Sequence, residues 1–444
     1  MTLARRATLR PSPEQARAFG RACGTARWAW NWGLARKREA WAARKAALDA
    51  GTDKADAPKV PSAIDLHREL NALKRVPKED GGLSWMYDAA SKCAPQEALR
   101  DLDVAFGHFF RRAKAGEVPG FPRFKARGRS PGHFRVTGSI KVEGGRIHLP
   151  RIGAVRFMPG DRGYVPDGTY AQASVVEDGN HWCVSVRLAV PEALPDDSRP
   201  VVGLDAGVRD LAFLSDGTVI PNPKALARES ARLRKAKLAI ARKRRASDKC
   251  LGPWKKGERR VESRRLQQAR KVAARLARRV ADIRRDALHK ATTMLAKTYS
   301  VVVVEALAGK NMTRRARGKG RAAKAGLNRA ILDSGMLRLR PMLAYKMPLH
   351  GGRLEAVPAP YTSQTCSGCG ARNAPGSSKT YRCATCGLAL DRDQNASLNI
   401  RAAVSWPADS VAATPPGSRE VAVRPMAKAG RQAATIRQSK HDHD

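Results

Sequence analysis

The sequence predicts a mixed α/β protein built from several domains. Three regions with different residue patterns support this prediction. Residues 1–120 carry mostly helical periodicity, residues 133–188 alternate apolar and polar positions between glycine and aspartate turns, and apolar strands alternate with long basic helices from residue 201 onward. A chain of 444 residues with 42% hydrophobic residues can bury substantial cores, and its length is typical of about two to four domains.

The N-terminal region is predicted to be one strand followed by helices. The strand covers residues 2–9 and ends at a helix start signal formed by Ser12, Pro13 and an early glutamate. The first helix, residues 15–46, carries several aromatic residues. We interpret them mainly as core, with Trp41 or an exposed arginine facing nucleic acid as the alternative. A polar linker at residues 52–61 separates this helix from helices expected at residues 64–73 and 95–112.

The central region is predicted to be a small all-β domain. Short strands between Gly and Asp turns favour either a barrel or a sandwich. The predicted strands cover residues 133–136, 139–142, 146–149, 155–157, 170–176 and 181–188. A segment rich in Pro and Asp, residues 191–200, is expected to link this domain to the second half of the chain.

Apolar strands that end in an acid mark the second half of the chain. Residues 201–205 form one such strand and end at Asp205, and residues 211–220 are expected to form a hairpin. Residues 299–305 form a second apolar strand that ends at Glu305. A basic loop follows, and a helix at residues 329–347 is expected to lead into a third strand at residues 353–357. The basic loop holds Lys310, Arg314, Arg315, Arg317, Lys319 and Arg321.

Long basic helices are predicted between the first two of these strands. Residues 224–290 hold 25 Lys and Arg against six Asp and Glu. Apolar residues recur at spacings of three to five from Val272 to Leu288, which indicates one buried face and a basic exterior. A run of charged residues is usually a solvated helix face. Here, however, the acids are too few to form ion pairs with most of the basic residues. We therefore interpret it as a surface for phosphate contacts.

The overall charge indicates the class of partner. The chain has 84 Lys and Arg against 40 Asp and Glu, a net charge of +44. Such an excess favours binding to a polyanion, and at physiological salt it would bind nucleic acid even without reading its sequence. No apolar run approaches the roughly 20 residues of a membrane span, and no secretory signal opens the chain. We expect a soluble cytoplasmic protein without a membrane partner.

Two Cys-x-x-Cys pairs near the C-terminus predict a structural zinc site. Cys366, Cys369, Cys383 and Cys386 have the spacing of a tetrahedral four-thiolate site in which each pair comes from one tight knuckle. We expect positive φ at Gly368, Gly370 and Gly387. Disulfides and free thiols are the alternatives, and the other four cysteines are scattered along the chain.

Three acids predict a second metal site of different chemistry. Asp205 and Glu305 each stand at the C-terminal end of an apolar strand, where α/β folds place active sites. Asp393 begins a helix, predicted at residues 394–403, that could pack on the same edge. Clustered carboxylates need a cation, and Mg²⁺ or Mn²⁺ suits oxygen ligands. Two such ions about 4 Å apart support phosphodiester hydrolysis. Any one acid taken singly could instead cap a helix or a turn.

Other catalytic signatures are missing from the sequence. It contains no His-Glu-x-x-His motif, no Walker A loop and no Gly-x-Ser-x-Gly elbow. Its nine histidines form no cluster of the kind found in His-Asn-His nucleases, and the His-x-His pair lies at the extreme C-terminus. We expect these histidines to be structural or solvated.

Six motifs spread along the chain resemble the TnpB (OrfB) family of insertion-sequence proteins, which is similar to the compact type V CRISPR effector nucleases. The matching residues span most of the sequence. They are Arg27-Trp28-Ala29-Trp30-Asn31-Trp32, Gly120-Phe121-Pro122-Arg123-Phe124-Lys125, Gly203-Leu204-Asp205-Ala206-Gly207, Val304-Glu305-Ala306-Leu307, Tyr361-Thr362-Ser363-Gln364-Thr365-Cys366 and Leu390-Asp391-Arg392-Asp393-Gln394-Asn395-Ala396.

The resemblance implies an RNA-guided DNA endonuclease with a RuvC-like, RNase H-type nuclease domain. It assigns the catalytic triad to Asp205, Glu305 and Asp393, with Asp391 as neighbouring support. It also implies a guide RNA and a target double-stranded DNA cut beside a short DNA motif, and we favour a monomer. The sequence departs from the pattern at Ala306, where many relatives have Asp or Asn, and in the long middle of the zinc ribbon.

The resemblance further implies a helical recognition lobe inserted into a β-barrel wedge domain, and a zinc ribbon that inserts into the nuclease domain and binds target nucleic acid. A disordered tail is expected after residue 406. The expected boundaries are residues 1–12 and 116–200 for the wedge domain, 13–115 for the recognition domain, 201–359 and 389–406 for the nuclease domain, 360–388 for the ribbon and 407–444 for the tail.

Other functions remain open from the sequence. A type V CRISPR effector would have a similar build. A guide-independent transposase could use the same carboxylates, although a ribbon just before the last acid favours the nuclease family. A catalytically silent RNA-guided repressor would be expected to lack one acid, and all three are present. A ribosome-type zinc protein would explain the charge and the ribbon but not Asp205 and Glu305.

Overall fold

The computed structural model describes residues 1–89, 91–128, 130–161, 163–179, 181–252, 262–315, 320–358, 360–373 and 378–404. Some expectations fall outside these residues. The tail at 407–444 and the basic-loop residues Arg317 and Lys319 are among them. In the part of the chain that is described, no helix combines the length and the apolar character needed to cross a membrane.

A closed six-stranded barrel forms the centre of the N-terminal half. Its strands follow one another in the order β1-β4-β3-β2-β5-β6. They are β1 (Thr2–Arg10), β2 (His133–Glu143), β3 (Arg146–Leu149), β4 (Gly153–Phe157), β5 (Gly168–Asp178) and β6 (His181–Ala189). The first strand closes the ring because it pairs antiparallel with both β6 and β4. The two predicted strands at 133–136 and 139–142 are one strand, β2, whose register shifts between Thr137 and Ile140 around Gly138, a residue with φ of 113°.

Helices fill the chain between the first two barrel strands. They are α1 (Pro13–Asp49), α2 (Ala63–Arg75), α3 (Met86–Ala89) and α4 (Cys93–Lys114). Ser12 caps α1 through a reciprocal pair of hydrogen bonds with Gln15, so the predicted start signal is confirmed. Phe19 of α1 packs on Phe134 and Trp182 of the barrel, with ring centroids 5.7 and 4.9 Å apart. The helices and the barrel therefore share one core.

Most of the aromatic residues of α1 are core, as expected. Trp30 is buried, and Trp28 stacks on Trp32 beside the apolar cluster beneath α2. Trp41 is the exception, because it remains 40% exposed and contacts Phe110 of α4.

Two motifs of the N-terminal half contact each other directly. The Trp30 indole donates a hydrogen bond to the carbonyl of Arg123 at 3.0 Å. The Asn31 side chain donates to the carbonyl of Lys125 at 2.9 Å and accepts from its amide at 2.8 Å. The Lys125 ammonium lies 3.5 Å from the centroid of the Trp30 ring. Helix α1 thus holds the segment that leads into the barrel.

The C-terminal half is built on a five-stranded sheet with the order β11-β10-β7-β8-β9. Strands β7, β10 and β11 are parallel, and the β7-β8-β9 part is antiparallel. The strands are β7 (Val201–Ala206), β8 (Asp210–Leu214), β9 (Val219–Pro221), β10 (Val301–Glu305) and β11 (Arg353–Val357). Residues Val301 to Val304 of β10 are all buried, because apolar clusters cover both faces of the sheet.

Helices and a short hairpin surround this sheet. The helices are α5 (Ala225–Leu251), α6 (Arg264–Thr298), α7 (Gly309–Met312), α8 (Arg321–Ser334), α9 (Leu339–Leu349) and α10 (Arg392–Ala402). The long basic helices are confirmed as α5 and α6, with Val280 and Leu288 buried but Val272 36% exposed. The single helix predicted at residues 329–347 was wrong. Gly335 takes a φ of 74° between α8 and α9, a conformation that ends the helix.

Candidate active site

Asp205 and Glu305 lie on neighbouring strands at the same edge of the sheet. Glu305 is the last residue of β10, and Asp205 is the fifth residue of β7. The two strands are parallel, and the residues just before the acids, Leu204 and Val304, are partners in the register. Residues that follow a register pair in parallel strands lie at the same level of the sheet. The fold therefore brings together two acids that are 100 positions apart in the sequence.

Helix α10 brings Asp393 to the same region by packing across β7. This contact depends on Gly203. A Cβ atom at this position would lie 2.1 Å from the carbonyl oxygen of Ser397 and 2.6 Å from the amide of Arg401. Only glycine allows the helix to approach the strand so closely. Gly203 stands two residues before Asp205, so the residue that admits the helix also adjoins the first acid.

The electrostatics of Asp205 reflect this grouping. Burial, followed by the charges of Glu305 and Asp393, raises the pKa of Asp205 to about 7. Burial also raises the pKa of Glu305. The hydroxyl of Thr362 donates a hydrogen bond to this carboxylate, which lowers the pKa by a smaller amount. The guanidinium of Arg209 lies 3.8 Å from the Asp393 carboxylate. The site is an acidic centre within a strongly basic chain.

The three carboxylates are less tightly grouped than the four cysteines. Within the described residues, the four-cysteine group is the only set of three or more potential ligands whose donor atoms all lie within 4.8 Å of one another. Asp205 feels the charges of Glu305 and Asp393, but the oxygens of the three carboxylates do not all lie within that distance of one another.

The four cysteines form a compact cluster at the tip of the C-terminal half. The Sγ atoms of Cys366 and Cys386 are 3.6 Å apart, and so are those of Cys369 and Cys383. A disulfide needs about 2.05 Å between sulfurs, so the disulfide alternative does not fit these four thiols. A tetrahedral ion with metal–sulfur bonds of about 2.3 Å separates its sulfurs by roughly 3.8 Å. The cluster therefore has the dimensions of a tetrahedral thiolate site.

Two glycines shape the knuckles that present the thiols. Gly370 and Gly387 have φ of 76° and 75°, and their amides donate to the carbonyls of Cys366 and Cys383. The expectation of positive φ was wrong for Gly368. A Cβ atom there would lie 3.2 Å from a methyl of Leu388, so close packing is the feature that distinguishes this glycine.

The ribbon leads directly into the helix that carries the third acid. Its two strands, β12 (Thr380–Arg382) and β13 (Ala389–Asp391), pair antiparallel, and α10 starts at the next residue. Asp391 is the N-cap of α10, and its carboxylate accepts a hydrogen bond from the amide of Asp393 at 2.9 Å. The second of the two neighbouring acids thus lies in the first turn of the helix, and the first acid caps it.

Sequence reasoning missed three polar residues that join these parts. They are Thr362, whose hydroxyl reaches Glu305, and two asparagines of α10 that bond to the ribbon backbone, Asn395 and Asn399. The spacing of Asn395 and Asn399 places both on one face of a helix, but it does not identify the groups that they bind.

Family profiles match three parts of the chain. A profile described as "Probable transposase" (OrfB, IS605 type) matches residues 183–316, and one described as "Cas12f1-like, TNB domain" matches residues 338–400. A third profile, "Helix-turn-helix domain", matches residues 1–46. Over residues 1–46 the structure has strand β1 followed by one continuous helix, α1.

Relatives extend the match over almost the whole length. The "Putative RNA-guided DNA endonuclease InsQ" of Escherichia coli K12 is 33% identical over 406 residues, which cover 89% of this chain and 90% of that protein. The chain belongs to the TnpB (OrfB) family. The "Putative RNA-guided DNA endonuclease Rv2885c" of Mycobacterium tuberculosis H37Rv is 31% identical over 422 residues, which cover 89% of this chain and 85% of that protein.

Solved structures of CRISPR effectors are also similar to this TnpB family member. The "mini-RNA-guided endonuclease CRISPR-Cas_phi3" aligns with a TM-score of 0.42 and 10% identity, over 90% of this chain and 92% of that one. The Cas12f1 chain of a complex with single guide RNA and target DNA aligns with a TM-score of 0.28 and 13% identity, over 90% of this chain and 99% of that one.

Proposed function

We propose that this chain is an RNA-guided DNA endonuclease of TnpB type that hydrolyses phosphodiester bonds at Asp205, Glu305 and Asp393. The observation that carries the proposal is the convergence of three acids from distant parts of the chain, seen in the effect of Glu305 and Asp393 on Asp205. The pKa of Asp205 is raised first by burial and then by the charges of Glu305 and Asp393. A site that gathers negative charge in a chain of net charge +44 suits a cation-dependent reaction on a polyanion.

Divalent cations match these three ligands in chemistry. Carboxylate oxygens are the ligands that Mg²⁺ and Mn²⁺ prefer, and a group titrating with a pKa of about 7 is easily deprotonated in exchange for a cation. Asp205, Glu305 and Asp393 would hold one or two such ions. When bound, they would supply an activated water and stabilise the leaving oxygen. Thr362 would orient Glu305, and Asp391 would fix Asp393 through its backbone amide.

The sheet supports assignment of the nuclease part to the RNase H-like, RuvC type. Its strand order has the first strand of the domain, β7, at the centre, a β7-β8-β9 meander on one side and parallel β10 and β11 on the other. In our proposal this domain comprises residues 201–359 and 389–406, with the ribbon at 360–388 inserted before the last acid. The barrel and the helices α1 to α4 would form the wedge and recognition domains.

A structural Zn²⁺ ion is the occupant we propose for the four-cysteine cluster. The thiols fit it in number, chemistry and separation, and the knuckle amides bond to the carbonyls of the first cysteine of each pair. The ribbon would then serve as the insert that binds target nucleic acid.

Guide RNA and double-stranded target DNA are the proposed partners. A guide-dependent nuclease holds its heteroduplex by the backbone, while base pairing supplies the specificity. The basic faces of α5 and α6 offer such a surface. Relatives named as RNA-guided DNA endonucleases support this assignment. We expect a monomer that works where its nucleic acids are, in the cytoplasm.

The proposal is tested by purifying the protein with the RNA that it binds in its native locus and cutting DNA that matches this RNA. Asp205→Ala, Glu305→Ala and Asp393→Ala should each lower the cleavage rate by at least about a thousandfold and leave RNA and DNA binding intact. Full cleavage by any one of them removes that residue from the site. Joined rather than hydrolysed ends would indicate a transposase, and the absence of bound RNA would contradict guided cutting.

A further inference from the structure

The ribbon and the acidic centre are tied together by side-chain amides of α10. Asn395 is fully buried. Its Oδ1 accepts from the amide of Ser367 at 2.9 Å, and its Nδ2 donates to the carbonyl of Thr365 at 2.7 Å. The residue between these two is Cys366, a proposed metal ligand. One asparagine therefore holds the backbone on both sides of a knuckle thiol.

Asn399, one turn later on the same face of α10, holds the preceding part of this segment. Its Nδ2 donates to the carbonyl of Thr362 at 2.8 Å and to that of Thr365 at 2.7 Å. The hydroxyl of Thr362 in turn donates to the carboxylate of Glu305. Residues 362–367 thus contact Glu305 at one end, contain Cys366 at the other, and are fixed along their length to α10.

The opposite attachment of α10 is equally close. Ser397 and Arg401 lie against Gly203 of β7, and Ala396, Ser397 and Ile400 are buried. The helix is consequently held between the strand that carries Asp205 and the ribbon segment that reaches Glu305, with Asp393 in its first turn. A displacement of the Cys366 knuckle would move the supports of both Glu305 and Asp393.

We propose that Asn395, Asn399 and Thr362 are positioning residues that couple metal binding at the four cysteines to cation binding at the three carboxylates. The inference rests on the proposed function, because it takes the carboxylates as the cation site. Zinc bound at the cysteines would then raise the affinity of the carboxylates for a divalent cation, and a bound cation would raise the affinity for zinc by the same factor. The asparagine side chain suits this task because it is short and offers both a donor and an acceptor.

The test uses the full-length zinc-loaded protein without guide RNA, and two equilibrium readouts. Zinc affinity is measured by competition with a chromogenic chelator, and Mn²⁺ affinity is measured from the electron paramagnetic resonance signal of free Mn²⁺. We expect Asn395→Ala to weaken both affinities by about tenfold or more, the size typical of lost outer-shell partners. Asn399→Ala and Thr362→Val should weaken both in the same direction.

Asn31→Ala is the matched control. This residue also joins a helix to both backbone groups of a loop, but in the N-terminal half. Because it shares no partner with either metal site, both affinities should stay within about twofold of wild type. If Asn395→Ala does not fold, Thr362→Val decides the question, since it keeps the side-chain shape and touches no cysteine.

Three outcomes separate the ideas. Weakened Mn²⁺ binding in both Asp205→Ala and Asn395→Ala supports the coupling. Weakened Mn²⁺ binding in Asp205→Ala with wild-type Mn²⁺ affinity in all three positioning variants overturns the coupling and leaves the proposed function standing. Unchanged Mn²⁺ affinity in Asp205→Ala overturns the carboxylate site itself, and the coupling with it.

Discussion

The two halves of the molecule use the same device for different ends. In the N-terminal half, Asn31 of α1 holds both backbone groups of Lys125 in the segment that enters the barrel. In the C-terminal half, Asn395 of α10 holds the backbone on both sides of Cys366. The first joins two parts of one continuous apolar core. The second joins a cysteine cluster to the segment that reaches Glu305.

The barrel interior and the end of the C-terminal sheet also differ in polarity. The barrel interior consists of apolar side chains from all six strands, shared with α1 and α4. The sheet of the C-terminal half is apolar on both faces, but it ends in carboxylates whose pKa values are raised by burial. Burying carboxylates costs stability, and an apolar barrel interior carries no such cost. The following predictions test that difference, from the largest expected effect to the smallest.

Gly203→Ala should destabilise the protein most. The added methyl group would overlap the backbone of α10 at Ser397. Relieving this overlap requires α10 to move away from β7, which breaks the contact between them. We expect a loss of about 3 kcal/mol in the free energy of unfolding, the upper range for overpacking. Chemical denaturation followed by circular dichroism measures it. If the Gly203→Ala variant were as stable as the wild type, the close approach of α10 to β7 would not be needed for stability.

Asn31→Ala should cost less, about 2 kcal/mol, because it removes two hydrogen bonds and leaves the Lys125 backbone groups without these partners. The loss should appear in the transition of the barrel half, which can be followed by tryptophan fluorescence. A transition equal to that of wild type would mean that Trp30 and its neighbours hold the segment without help.

The acidic edge predicts a pH dependence that comes from Asp205. The pKa of Asp205 is about 7 in the fold against 3.8 ordinarily. At Asp205 the folded state therefore binds more protons than the unfolded state between these values, so this carboxyl lowers the stability as the pH rises from 4 to 7. The slope should be at most about 1.4 kcal/mol per pH unit.

Denaturation midpoints at several pH values, without added divalent cation, measure this slope. Asp205→Asn should flatten the profile, and added Mn²⁺ should raise the stability of the wild type near neutral pH. A wild-type profile equal to that of Asp205→Asn would contradict the raised pKa.

Gly20→Ala should have the smallest effect, of opposite sign to that of Gly203→Ala. Gly20 lies within α1, and a Cβ atom there would meet nothing within 4 Å. Replacing a helical glycine at an open position should stabilise the protein by about 0.5–1 kcal/mol. The same denaturation experiment provides the comparison, and a destabilised Gly20→Ala variant would show that the space is occupied.

Much of the architecture could be predicted because its signals are local. Alternation of apolar residues gave the strands of the barrel, and Ser12 gave the start of α1. The break at Gly335 was missed because a glycine in a helical pattern does not reveal its φ. The bulge in β2 was predicted as a gap between two strands, since a register shift interrupts the alternation without ending the strand.

The site could be predicted only in part. Asp205 and Glu305 carried a local signal, an acid at the end of an apolar strand, and the cysteines carried their spacing. Thr362, Asn395 and Asn399 carried none that pointed to their partners, because a hydrogen bond to a distant backbone group leaves no periodic trace. Only the packing of α10 between β7 and the ribbon assigns them.

By itself, the sequence determined the residue types of this protein: a polycationic chain, four thiols at knuckle spacing and acids at strand ends. These follow from composition and short-range order. The tertiary structure decided which of them meet. Parallel pairing of β7 with β10 sets Glu305 beside Asp205. Because Gly203 has no side chain, α10, which carries Asp393, can pack directly on β7. Contacts between residues a hundred or more positions apart depend on packing, which no local pattern specifies.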